Sequence, residues 1–74
     1  MSSLGKKVKD LRLEKKLTHK KLAEEIGCAY SLISEWENDL KLPSANSLTA
    51  LVKFFKVSAD YLLGLENEDG SKNY

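Results

Sequence analysis

From Leu17 to Asn38 the chain reads L-T-H-K-K-L-A-E-E-I-G-C-A-Y-S-L-I-S-E-W-E-N, two short amphipathic segments divided at Gly27. This pattern leaves few ways to fold. Thr18 is a favourable N-cap residue, and Leu17 before it and Leu22 after it stand at the spacing of a hydrophobic staple, so a helix is predicted from His19. Leu22, Ala23 and Ile26 share one face of that helix, and Lys20, Lys21, Glu24 and Glu25 take the other. Gly27 supplies the left-handed backbone that ends it. Past the turn, Ile33 and Trp36 fall on one side of a second helix, and Tyr30, Ser31, Ser34, Glu35 and Asn38 fall on the opposite side. So tight a turn requires the two helices to cross closely, and the small side chain of Ala23 lets them do so. Cys28, beside Gly27, is expected to be a small buried apolar group.

The flanking segments also read as helical. Leu4, Val8 and Leu11 mark the inward stripe of a helix from about residue 4 to 16, capped by Ser2 or Ser3. Pro43 closes the loop after the second central helix. Ser44 caps a fourth helix with Leu48, Leu51, Val52 and Phe55 inward, and Ser58 caps a short fifth helix ending at Gly64. No run alternates as a strand would. The expected fold is all-α, a compact five-helix bundle in a single domain spanning residues 1–64. A polar, mobile tail is expected over residues 65–74. At 74 residues the chain is near the size where one core barely suffices.

Composition removes several classes of function. With 42% hydrophobic and 31% charged residues the chain resembles an ordinary globule, and no apolar run approaches the roughly 20 residues of a membrane helix. Nothing reads as a signal peptide, and the single cysteine cannot form an internal disulfide, so a reducing cytoplasm is the simplest setting. One histidine, one cysteine and no phosphate-cradling loop leave no constellation for catalysis, a metal or another cofactor. The net charge of +1 conceals an asymmetry: residues 1–21 hold eight lysines and arginines against Asp10 and Glu14, and the remainder is acidic. A basic third facing phosphate fits this layout, as does a merely solvated lysine face.

In order and spacing, L-T-x-x-x-L-A-x-x-I-G, S-x-I-S-x-W-E-N, P-S with L-x-x-L, and V-S-x-D-Y-L-L-G make the chain from Leu4 to Gly64 resemble the phage lambda repressor and Cro type of helix-turn-helix domain, the XRE family. The resemblance implies five helices, with helices 2 and 3 as the helix-turn-helix, and a sequence-specific transcriptional regulator binding double-stranded DNA. A repressor of prophage or mobile-element type, acting as a homodimer on a pseudo-palindromic operator, is the expected form, with a protein antirepressor or other regulator as a further partner.

Residue by residue, the expectations are as follows. Glu37, four after Ile33, and Arg12, four after Val8, both turn toward the contact of helices 1 and 3. A partly buried carboxylate left alone would cost about 3 to 5 kcal/mol, so an Arg12–Glu37 ion pair is predicted, matching a structural pair of the family. The N-terminus of helix 2 suits phosphate, through Thr18, His19 and Lys20; the family usually has glutamine where His19 stands. Lys20–Glu24 and Lys21–Glu25 pairs are the alternative use of those lysines. By motif position Tyr30, Ser31 and Glu35 face bases, and Ser34, Asn38 and Lys41 face the backbone. Glu35 departs from the basic or amide residue common in the family and would accept from cytosine N4. Ala29 stands where a serine or threonine cap is commoner, and Asp39 replaces the usual glycine. Leu40, Leu42, Phe54, Tyr61, Leu62 and Leu65 are candidates for a two-fold dimer surface, or else complete the core. The alternative function is an antitoxin-like or partner-binding helical module with weak or no specific DNA binding.

Overall fold

A computed structural model describes residues 3–65 and 69–72. Five helices follow in order: α1 Leu4–Glu14, α2 His19–Ile26, α3 Tyr30–Glu37, α4 Ala45–Phe55 and α5 Ala59–Leu63. Four of them start on a hydroxyl cap in extended backbone: the amides of Lys6, Lys21, Ser47 and Tyr61 donate to the side chains of Ser3, Thr18, Ser44 and Ser58. Ser3 is therefore the cap of α1, and Ser2, the alternative, lies outside the described residues. The N-cap of α3 is Ala29, which makes no side-chain cap bond.

The helices stop where the backbone turns left-handed. Gly27 does this after α2 at φ 76°, its N–H and that of Cys28 both reaching Ala23 O. Three non-glycine residues, Lys16, Asp39 and Lys56, hold the same conformation after α1, α3 and α4. α1 ends at Glu14, short of the expected residue 16. The reason is a Schellman closure in which Lys16 N–H donates to Leu13 O and Leu17 N–H to Arg12 O.

Val8, Leu22, Ala23, Ile33, Trp36, Leu51, Phe55 and Leu62 form the core. α3 lies at its centre, packed on α1 and α2; α2 also meets α4, and α5 closes against α1 and α4. Removing a large side chain such as Leu22 or Ile33, both fully buried, would cost about 2 to 5 kcal/mol. Gly5 sets how closely α1 and α3 approach: a Cβ there would collide with the backbone carbonyl of Trp36 and lie 2.8 Å from an oxygen of Asp39. Cys28 is half-buried rather than buried, because it lies in the turn just past the α2 cap. Burial nevertheless pushes its thiol above the ordinary value, away from the reactive thiolate.

The apolar residues proposed for a dimer surface divide. Leu62 belongs to the core at 1% exposure, since docking of α5 turns this leucine inward and leaves Leu63 outside. Phe54 and Tyr61 are half-buried against the core. Phe54 meets Phe55 edge-on, with the Lys15 ammonium over its ring, and Lys7 stands over Tyr61. Leu40, Leu42 and Leu65 remain exposed. Of the tail, residues 66–68 and 73–74 lie outside the described residues; Lys72 pairs with Asp60 of α5.

Candidate nucleic-acid interface

α3 has two unlike sides, and the inner one is locked. Ile33 and Trp36 are buried in the core, and Glu37, the last residue of the helix, has a side chain only 5% exposed. Its Oε2 accepts from Arg12 Nε at 2.7 Å, and its Oε1 accepts from Arg12 Nη2 at 3.1 Å. Arg12 Nη1 donates in addition to Leu17 O, tying in the loop between α1 and α2. A planar guanidinium meets a planar carboxylate here through two parallel bonds, the strongest form of such a pair.

His19 completes the group. Its Nε2 lies 3.0 Å from Glu37 Oε1, and since an ionised carboxylate can only accept, Nε2 is the donor. His19 was expected at a phosphate; the close crossing of α2 and α3 instead puts its ring within reach of the buried carboxylate. Burial pushes the Glu37 carboxyl up, but the hydrogen bonds and charges of Arg12 and His19 outweigh it, and the net shift is downward. One carboxylate thus joins the last turn of α1, the first turn of α2 and the end of α3.

The outer side of α3 is polar and open. Tyr30 is 64% exposed, Ser31 is exposed, and Ser34 and Glu35 are half-buried. Asn38, expected to face backbone phosphate, donates through Nδ2 to Ser34 O and Ser34 Oγ, so it caps its own helix. Lys41, also assigned to phosphate, has its ammonium 3.4 Å from Glu35 Oε2. At the N-terminus of α2, Thr18 Oγ1 is occupied by the Lys21 amide. Lys21 pairs with Glu25, and Lys20 is exposed without an ion-pair partner among the described residues. The start of α2 thus lies beside the end of α3, where His19 meets Glu37, and Lys20 in that first turn is exposed.

Sequence reasoning missed Gly5, and no local pattern could have revealed it, because the atoms a Cβ would strike belong to residues more than 30 positions away.

A helix-turn-helix family model matches residues 8–62, the span from the middle of α1 to the end of α5. The chain belongs to the XRE helix-turn-helix family. Among its relatives in this family is the HTH-type transcriptional regulator ImmR of Bacillus subtilis, 37% identical over 71 residues, which make up 96% of this chain and 55% of ImmR. The chain thus spans about half the length of that relative. Among solved structures, the P22 c2 repressor in complex with a synthetic operator superimposes with a TM-score of 0.81 at 30% identity, over 85% of this chain and 96% of that one. SinR in complex with DNA superimposes with a TM-score of 0.73 at 33% identity, over 80% of this chain and 95% of that one. SinR is a Bacillus subtilis protein and has also been solved with the SinI protein. This helix-turn-helix protein has, among its described residues, no helix long and apolar enough to cross a membrane and no cluster of side chains that could hold a metal ion.

Proposed function

We propose that this chain is a sequence-specific DNA-binding transcriptional regulator of the cytoplasm, most simply a repressor that occupies an operator. The observation that carries the reading is the open polar face of α3 on a fold that superimposes at TM-score 0.81 on a repressor bound to its operator. In this reading α3 enters the major groove with Tyr30, Ser31 and Glu35 toward base edges. The free amides at the start of α2, with Lys20 beside them, take a backbone phosphate. Ser34 and Asn38 flank the groove, already bonded to one another. The Arg12–Glu37–His19 group reads nothing and holds α3 at its angle.

Leu40 and Leu42, 72% and 77% exposed, with Leu65 at 39%, support assembly into a homodimer. Two-fold symmetry would place the two α3 helices about 34 Å apart on a pseudo-palindromic site. The same leucines favour a second reading, a module that binds a protein partner, and SinR with SinI is a relative in a protein complex.

Selection from random duplex DNA at two salt concentrations separates the two. A palindromic motif whose affinity falls steeply with salt is the expected result for the regulator. No enrichment at either salt would sink it in favour of the protein-binding module. Sedimentation of the free chain and of the chain on the selected site reads the dimer.

A further inference from the structure

We infer that Lys41 acts on DNA through Glu35, as a positioning residue that neutralises this carboxylate and holds it ready to accept from a cytosine amino group. The inference rests on the DNA-binding reading above.

An acid on the outward face of a recognition helix has an electrostatic difficulty. Brought toward two phosphate strands, an unpaired Glu35 would be repelled. Lys41 resolves this, because its Nζ stands 3.4 Å from Glu35 Oε2. No hydrogen bond is made to either oxygen of the Glu35 carboxylate among the described residues, and its side chain is 31% exposed, so the ion pair leaves acceptor capacity for a further donor. A single acceptor is what the exocyclic amine of cytosine requires in the major groove.

The placement of Lys41 follows from backbone geometry. After α3, Asp39 takes the left-handed conformation at φ 59°. Its N–H then donates to Trp36 O at 3.1 Å, and Leu40 N–H donates to Glu35 O at 2.9 Å. This is a Schellman closure on the carbonyl of Glu35 itself. It reverses the chain at Asp39, two residues before Lys41, and brings that side chain to the carboxylate of the residue whose carbonyl closes the turn. Between Asp39 and Ser44 the loop reads D-L-K-L-P-S and contains no other cation. Lys41 therefore serves either phosphate or Glu35, and the geometry points to Glu35.

The test is a double-mutant cycle on the full chain. The probe is the duplex selected by the wild type, together with versions carrying each of the four base pairs at every position. Both side chains lie on the surface, and circular dichroism checks that each variant is folded. Wild type is expected to prefer cytosine at one position, and Glu35→Gln to shift that preference toward adenine. Lys41→Gln should weaken binding at least tenfold and flatten the preference at the same position. In the Glu35→Gln background the same change should cost less than threefold. If Lys41→Gln instead costs the same in both backgrounds, leaves base preference intact and lowers the salt slope by about 1, Lys41 is a phosphate contact and the inference is overturned. Failure of the wild type to enrich any motif would bring down the DNA-binding reading, and this inference with it.

Discussion

Glu35 and Glu37 stand two residues apart on α3, each with a cationic partner, and the two pairs have opposite characters. Glu37 is almost wholly buried and takes three hydrogen bonds from two side chains on two other helices. Glu35 is about one-third exposed and faces one ammonium, carried on a side chain that is 61% exposed. Desolvation accounts for the difference. Once water is gone, a carboxylate must be matched at both oxygens, and breaking the match is costly. At the surface, water can replace the partner, so the pair adds little to stability and remains open to solvent. A step of two residues along a helix turns a side chain through more than half a circle, which is enough to move an acid from a part of the scaffold to a part of the open polar face.

The contrast can be broken most directly from its buried side. Arg12→Met should cost about 3 to 5 kcal/mol and lower the melting midpoint by more than about 12 °C. A loss below about 1 kcal/mol would put Glu37 in the same class as Glu35. Next in size is Gly5→Ala, which forces a methyl against the Trp36 carbonyl and parts α1 from α3. It should cost about 1 to 3 kcal/mol in urea unfolding, and an unchanged midpoint would show that the helices can shift without harm.

Acid sharpens the comparison further. Because the folded Glu37 pKa is lowered, its contribution is complete above the unfolded value of about 4.3 and is lost as pH falls through the lower folded value. Urea titrations at pH 7 and at pH 3.5 should show this loss in wild type and in Glu35→Gln, and a smaller loss in Glu37→Gln. Equal pH dependence in all three would remove Glu37 as its source. The smallest effect belongs to the surface pair: Glu35→Gln and Lys41→Gln should each change stability by less than about 0.5 kcal/mol. A larger change would mean that the pair helps to hold the α3–α4 loop.

What could be read from the sequence was local. Ser3, Thr18, Ser44 and Ser58 announce helix starts because the capping oxygen and the amide it serves are three residues apart in the chain, and Gly27 announces a stop for the same kind of reason. The end of α1 was less legible, since Lys16 carries no sign that its backbone will turn left-handed. Between helices the outcome varied with the reach involved. Periodicity turned Arg12 and Glu37 inward, and the need of a buried carboxylate for a partner, together with the structural pair of the family, joined them. The position of His19 depends on how α2 crosses α3, and its sequence neighbourhood suited phosphate equally well. α5 is too short at five residues to show a stripe, so choosing Leu62 rather than Leu63 for the core required the docked helix. On the outer side of α3 the spacing gave Tyr30, Ser31, Ser34, Glu35 and Asn38, and the family resemblance singled out Tyr30, Ser31 and Glu35 among them, but the partner of Glu35 comes from a loop whose path is fixed by a backbone closure.

Two glycines bear on how the chain can diverge. Gly27 is needed for its dihedral angle and not for room, since nothing lies within 4 Å of a Cβ placed there. Gly5 is needed for room, since α3 occupies the space that its side chain would fill. Drift among descendants of this chain should therefore admit asparagine at 27, where a short polar residue tolerates the left-handed backbone, and should keep residue 5 as it is unless the end of α3 moves with it. A library of all twenty residues at each site, grown under selection for folded protein, would record these as two different substitution spectra.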